Sequence, residues 1–296
     1  MQDPEQLIRN TLKTGATTLD LSNLGLTQLP PSFIQLSRQL ERLVLGNIRL
    51  SGIPCNAITD LSALSAFKKL RSLSVKNTAL PSGFEFPFLP NLEELDASNT
   101  GLPYSTELEL QLEHLRVLDL SDNNLTALKS DFKLEQLEKL VLRRNDLASL
   151  RDIWYGRFPA LSSLDLGGNE NIDWEEELPL SFYKLDALNL VRTGLEELSK
   201  LVQLRKLKEL RLSFNPIGEP RLLAGLENLE VLSLDGTYMG ILPPLGRLSG
   251  LRKLYAADNS IRDLSALRSL KGLTELDLSH NMIEDISPLE GLTNLS

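Results

Sequence analysis

One frame of eleven residues, L-x-x-L-x-L-x-x-[NT]-x-[LI], can be laid along this chain twelve times. That repetition constrains the fold more than any other feature of the sequence. Its fourth position is leucine every time: Leu19, Leu43, Leu73, Leu95, Leu118, Leu140, Leu164, Leu188, Leu210, Leu232, Leu254 and Leu276. The first position is leucine in eleven of the twelve, with Ala16 the exception. Successive frames start 22 to 24 residues apart except for one gap of 30, between Leu43 and Leu73.

Positions four and six lie two apart, so in an extended segment both side chains point to one side. One such segment cannot bury its leucines alone, but parallel neighbours cover one another and build a continuous core. About eleven residues remain to return the chain, enough for a short helix, a 3-10 turn or an extended run. The expected fold is therefore an α/β, right-handed, curved solenoid. It has a parallel concave sheet and short helical, 3-10 or extended convex segments. With 42% hydrophobic but only 5% aromatic residues, its core is leucine rather than large rings.

Position nine needs a side chain that can serve main-chain groups where each strand bends away, and asparagine offers two donors and an acceptor. It stands at Asn123, Asn145, Asn169, Asn215, Asn259 and Asn281, with Thr78, Thr100, Thr193 and Thr237 as substitutes. Leu24 and Ile48 break the pattern, which predicts an interrupted ladder in the first two repeats. The extra residues SGIPCNAI, 51 to 58, predict a bulged loop on the convex side or at one edge. A second disturbance covers WYGRFP, 154 to 159, and GGNENIDWEEE, 167 to 177, where Ile172 takes the apolar place one residue late.

The start, DPEQLIRNTLKTG, carries the signals of a helix: Asp3 before Pro4, an apolar stripe at Leu7, Ile8 and Leu12, and Gly15 to end it. Residues 1–15 are expected to be a capping helix and 16–296 a repeat domain of about twelve repeats. Asn294-Leu295-Ser296 opens a thirteenth repeat, so the domain is expected to be truncated, with its uncapped edge open to homodimerisation or another partner.

The frame is the leucine-rich-repeat signature, and the chain resembles that family over residues 16 to 296. The opening IRNTLKTGATTLDLSNLGLTQLPPSFIQL resembles the repeat domain of bacterial Roco-type proteins, which implies GTPase and dimerisation domains downstream. The closing IRDLSALRSLKGLTELDLSHNMIEDISPLEGLTNLS is similar to the 22-residue repeats of bacterial internalins and phosphatase-regulator-like proteins. No G-x-x-x-x-G-K-[ST] phosphate loop occurs in the chain itself.

The formal net charge of -9 argues against a nucleic-acid surface and a polybasic membrane patch. One cysteine, Cys55, excludes an internal disulfide framework. MQDPEQLIRN lacks a positive n-region and an apolar core, and no run reaches 18 apolar residues, so a cytoplasmic protein is expected. His114 and His280 are the only histidines, and no nucleophile or metal motif joins either. No enzyme, cofactor or metal is expected. Asp20, Asp96, Asp119, Asp165 and Asp277 recur at position five and read as solubilising strand carboxylates rather than cation ligands.

Positions three, five, seven and eight face the concave side or its rim. In repeats six to eleven they include Lys139, Arg143, Arg144, Arg192, Arg211, Phe214, Asp235, Gly236, Lys253 and Tyr255, with the two glycines Gly167 and Gly168 removing bulk. Arginine and aromatic residues are enriched at interface hot spots. Either these residues bind an acidic or amphipathic protein segment, or the cations neutralise neighbouring carboxylates across strands. The expected function is protein recognition within a larger signalling protein of Roco type. The alternatives are a bacterial effector or surface protein engaging host proteins, and an enzyme with its site on the concave face.

Overall fold

The computed structural model describes residues 2–48, 55–81, 84–102, 112–128, 134–150, 158–175 and 184–295. The acidic residues Glu176 and Glu177 and residues 154–157 of the second disturbance lie outside them. The chain forms two compact units, residues 1–146 with 157–160, and residues 147–156 with 161–296.

In the first unit the chain opens with helix α1, Pro4–Thr14. Asp3 caps it by accepting the Glu5 N–H at 3.0 Å, and Gly15 ends it in the left-handed region at φ 67°. Ile8 is fully buried, the Ser32 hydroxyl donates to Glu5, and the Gln39 amide donates to the Thr11 and Ala16 carbonyls. The helix thus covers the first repeat. Six three-residue strands follow: β1 Thr18–Asp20, β2 Arg42–Val44, β3 Ser72–Ser74, β4 Glu94–Asp96, β5 Val117–Asp119 and β6 Lys139–Val141. They pair in parallel with leucine opposite leucine, from Leu19 through to Leu140.

The second unit repeats the arrangement with β7 Ser163–Asp165, β8 Ala187–Asn189, β9 Glu209–Arg211, β10 Val231–Ser233, β11 Lys253–Tyr255 and β12 Glu275–Asp277. Leu164, Leu188, Leu210, Leu232, Leu254 and Leu276 stand opposite one another in turn. The position-four leucines are buried in every repeat except the last, where Leu276 is half-exposed at the end of the stack.

Several of the described returns are 3-10 segments, such as Ser62–Ala66, Ser265–Leu267 and Ser287–Leu289, whereas residues 84–89 form no helix. Each of these three 3-10 segments follows an Asp-x-Ser sequence. Asp60, Asp263 and Asp285 accept the N–H of Ser62, Ser265 and Ser287 at 2.8 Å. Those main-chain bonds, with the serine hydroxyls, hold the three carboxyl groups below the ordinary aspartate range. Ile172 is buried while Asn171 is exposed, so the apolar place in that repeat is filled one residue late.

The asparagine ladder corrects one expectation. Asn123 shows the pattern: its amide donates to the position-six carbonyls of its own and the preceding repeat, Leu120 and Ala97, and its carbonyl accepts the N–H of Thr100 and Leu102. The second repeat was expected to break this ladder, because Ile48 fills position nine. Instead Asn56 donates to Leu21 and Leu45 and accepts from Leu24 and Leu26. It occupies the ladder site from eight residues later in the chain, so the insertion lies between the end of β2 and that site. Asn47, also fully buried, ties down the loop's base by exchanging hydrogen bonds with the Asn56 main chain. Residues 49–54 lie outside the described set.

Candidate functional site

The strand face is built from positions three and five, which flank the buried leucine, and positions seven and eight, which leave the strand. Position five is aspartate or asparagine in half the repeats for a local reason. The side chain accepts the N–H of position seven and closes a turn at the strand end. Asp20 holds Ser22, Asp96 holds Ser98, Asp119 holds Ser121, Asp165 holds Gly167, Asn189 holds Val191 and Asp277 holds Ser279, all between 2.8 and 3.1 Å. These carboxylates were expected to do no more than keep the sheet soluble. They are turn caps, and their recurrence is structural.

The other repeats carry Val44, Ser74, Val141, Arg211, Ser233 and Tyr255 at position five. In repeats ten and eleven the preceding repeat supplies the missing acceptor. The Asp235 N–H donates to the Ser213 hydroxyl at 3.1 Å, and the Ala257 N–H donates to the Asp235 carboxylate at 2.9 Å. Both Ser213 and Ser233 also bond that carboxylate. In these two repeats the turn is capped without a position-five acceptor, and that position carries Ser233 and Tyr255.

Position eight lies in the left-handed region in eleven repeats, and in most of them its N–H donates to the position-seven carbonyl of the next repeat. Examples are Arg192 to Ser213 at 3.1 Å, Phe214 to Asp235 at 2.7 Å and Gly236 to Ala257 at 2.9 Å. Asn, Asp and Gly tolerate this conformation, and they fill it at Asn23, Asn77, Asn99, Asp122, Gly168, Gly236 and Asp258. Arg144, Arg192, Phe214 and His280 adopt it at φ between 51° and 59°. For such side chains the left-handed conformation costs about 1 kcal/mol or more.

The eight residues singled out in the sequence separate into different environments. Lys139, Arg143 and Arg144 belong to the first unit and are exposed. Arg144 forms a two-pronged ion pair with Asp122, the position-eight residue of the preceding repeat. Arg143 has no ion partner among the described residues. In the second unit Arg211 pairs with Glu209 on its own strand at 2.6 Å. Glu275 gathers two of the others: Lys253 reaches it at 2.7 Å, and the Tyr255 hydroxyl donates to it at 2.7 Å. Those two hydrogen bonds pull the Glu275 carboxyl below its ordinary range and push the Lys253 ammonium and the Tyr255 phenol above theirs. Neutralisation of neighbours thus accounts for Arg144, Arg211 and Lys253. It does not account for Arg192, whose guanidinium lies 4.8 Å from the Phe214 ring centre and meets no carboxylate among the described residues.

Two members of this arrangement, Glu275 and Ser213, escaped the sequence reading, and Asp235 was placed on the face without its capping role. Glu275 is one of many surface carboxylates, and only the parallel register opposite Lys253 reveals its double role. Ser213 and Asp235 look like ordinary strand-end polar residues until the cross-strand bonds are seen. No group of three or more His, Cys, Asp or Glu side chains capable of holding a metal ion occurs among the described residues. No described helix is long and apolar enough to cross a membrane.

Family models match this chain where the frame is most regular: "Leucine Rich repeats (2 copies)" over residues 249–291, and "Leucine Rich repeat" over 111–127 and 203–220. The mouse (Mus musculus) leucine-rich repeat serine/threonine-protein kinase 1 is 29% identical over 84% of the chain. A Roc-COR-CHAT protease from an unknown prokaryotic organism is 30% identical over 66% of it. The chain spans only 15% and 20% of the lengths of these two relatives. Among solved structures, an internalin (InlF) from Listeria monocytogenes superposes with a TM-score of 0.76 at 22% identity, covering 98% of this chain and 92% of that one. The twelvefold leucine frame, the parallel strands in register, the asparagine ladder and these likenesses agree: the chain belongs to the leucine-rich-repeat proteins.

Proposed function

We propose that the chain is the protein-recognition part of a larger Roco-type signalling protein, acting in the cytoplasm, and that its partner is a polypeptide held on the strand face. The observation that carries this reading is the exchange at position five. Repeats ten and eleven move their turn cap onto Ser213 and Asp235, and the strand face there presents Tyr255 two strands from Arg211, with the small Ser233 between them. Tyrosine and arginine are the side chains that most often dominate protein interfaces. The Roco assignment draws on the opening IRNTLKTG segment and on the likeness to the Roc-COR-CHAT protease.

Arg143 in the first unit and Arg192 and Arg211 in the second are exposed, and replacing each with Glu reverses the charge at those positions without touching the leucine core. The triple variant should lose capture of its partner from cell extract while its Tm moves by no more than the few degrees expected of surface changes. Undiminished capture would overturn the reading. The Roco assignment is tested separately: the parent gene should encode a G-x-x-x-x-G-K-[ST] segment, and an export signal in its place would favour a surface or effector protein.

A further inference from the structure

We infer that Arg192, stacked on Phe214, is the anion-reading element of the second unit, and that it takes a carboxylate or phosphate group carried on an extended segment of the partner. The inference rests on the protein-recognition reading above and names the chemistry that the site selects.

Four successive position-eight residues form one row: Gly168, Arg192, Phe214 and Gly236. The row is held by main-chain bonds, Gly168 to Val191 at 2.7 Å, Arg192 to Ser213 and Phe214 to Asp235. Two flat side chains are bracketed by two glycines. A Cβ at Gly236 would lie 2.6 Å and 2.8 Å from Cδ1 and Cε1 of Phe214, so the ring rests directly on the glycine backbone. The guanidinium then lies on the ring at 4.8 Å. An arginine is normally a mobile cation with many rotamers. Here its position is set from beneath before any ligand arrives, which lowers the ordering cost of binding.

Among the described residues the charge is also uncommitted. The strand-face carboxylates of the neighbouring repeats already have partners: Glu209 holds Arg211, Asp235 holds Ser213, Ser233 and the Ala257 N–H, and Glu275 holds Lys253 and Tyr255. The ring occupies one face of the guanidinium and leaves its N–H edge, which forks onto carboxylate or phosphate. Both Arg192 and Phe214 sit in the left-handed conformation that Asn, Asp or Gly fills in most other repeats. Strain of this kind persists where a site requires it. On a chain of net charge -9 a polyanion such as nucleic acid is repelled along its whole length, whereas a single carboxylate or phosphate on an otherwise neutral polypeptide segment meets one free guanidinium, so that segment is the fitting source of the anion.

The test uses the full chain in two measurements. In the first, the arginine Nε–Hε signals are followed during titration with acetate and then inorganic phosphate. The Arg192 signal, assigned with Arg192→Gln, should shift at millimolar anion. Phe214→Ala should weaken that response at least threefold, and Arg205→Gln, on the return side, should leave it unchanged. In the second, extended nine-residue peptide libraries carry a fixed central Glu, Gln, phosphoserine or Lys. The Glu and phosphoserine libraries should be captured at least tenfold over Gln and Lys, the ratio between the first two reporting which anion the site prefers, and Arg192→Gln should erase the difference. Equal capture of Glu and Gln, no capture at all, an unmoved Arg192 signal, or preferential binding of an RNA oligonucleotide through that signal would overturn the inference. Capture that disappears in Arg211→Glu but ignores Arg192→Gln would sink this inference and leave the recognition reading standing. Capture indifferent to both would sink both.

Discussion

Asn56 and Asn123 serve the same four main-chain positions from different places in the repeat, one eleven residues after its position-six leucine and the other three. The repeat architecture therefore tolerates an insertion so long as an asparagine returns to the site. What is held constant is the set of satisfied donors and acceptors, not the spacing.

Asn56→Ala should accordingly be among the most damaging single changes in the first unit. Asn56 is 2% exposed, and its loss orphans the carbonyls of Leu21 and Leu45 and the N–H groups of Leu24 and Leu26. Water entering the site would satisfy some of them, so a loss of about 3 kcal/mol is expected, from about 1 to 3 kcal/mol for each group left unsatisfied. Chemical denaturation measures it directly. Asn123→Ala should cost a similar amount, whereas Ile48→Ala, at an exposed side chain, should cost under about 0.5 kcal/mol. Equal effects at Asn56 and Ile48 would show that the ladder passes through neither.

The leucine frame made the strands, their register and the buried row legible in the sequence, because a period of two within each frame and about 22 between frames leaves one way to stack. The ladder at Asn56 was not legible: an asparagine inside an insertion carries no local mark, and its partners Leu21 and Leu24 lie more than 30 residues away. The candidate site was legible as residue types at the right positions. It was not legible as pairs, since whether Arg211 turns to Glu209 and Arg192 to Phe214 depends on rotamers that only neighbouring repeats decide. The left-handed conformation of position eight could have been suspected from Asn23, Asn77, Asn99, Gly168 and Gly236, residues that favour it, and would have marked Arg192 and Phe214 as exceptions.

Gly236→Ala should couple to Phe214. Alanine at φ 58° costs about 1 kcal/mol by itself, and its Cβ would collide with the Phe214 ring, adding about 1 kcal/mol more. In a Phe214→Ala background the collision is gone, so Gly236→Ala should cost only the first part. A double-mutant cycle by thermal or chemical unfolding reads the difference. Strict additivity would mean that the ring does not rest on the glycine.

Tyr255 should ionise above the ordinary tyrosine range, because its hydroxyl donates to the Glu275 carboxylate and ionising it would set two anions together. Glu275→Gln removes the negative charge and should bring the phenol down toward its ordinary value. The Cζ resonance of Tyr255, followed through alkaline pH in both proteins, checks this. The same substitution releases Lys253, whose ammonium should also titrate lower once its strongest partner is lost. A phenol titration indifferent to Gln at 275 would show that the hydroxyl does not bond there.

Asp119 should oppose the usual acid loss of stability. Burial first, and then the like charge of Asp96 on the adjacent strand, raise its carboxyl above the ordinary aspartate range, although the Ser121 N–H and hydroxyl pull the other way. A carboxyl with a raised folded pKa binds its proton more tightly in the folded state. Its contribution therefore falls as pH rises from the unfolded value through the folded one, and it is a net cost at neutral pH. Asn can keep the turn cap, as Asn189 does for Val191, while carrying no charge. Asp119→Asn should thus raise Tm at pH 7, and the gain should shrink and vanish as pH falls below the ordinary aspartate range. Asp263 and Asp285 behave oppositely: their carboxyl groups are depressed, so their stabilisation is present above the ordinary range and is lost as pH falls through the lowered folded values. Asp263→Ala should therefore lower Tm at pH 7 and converge on the parent protein in acid. Melting curves from pH 2.5 to 7 for the two variants should move in opposite directions from the parent, and parallel curves would refute the assigned environments.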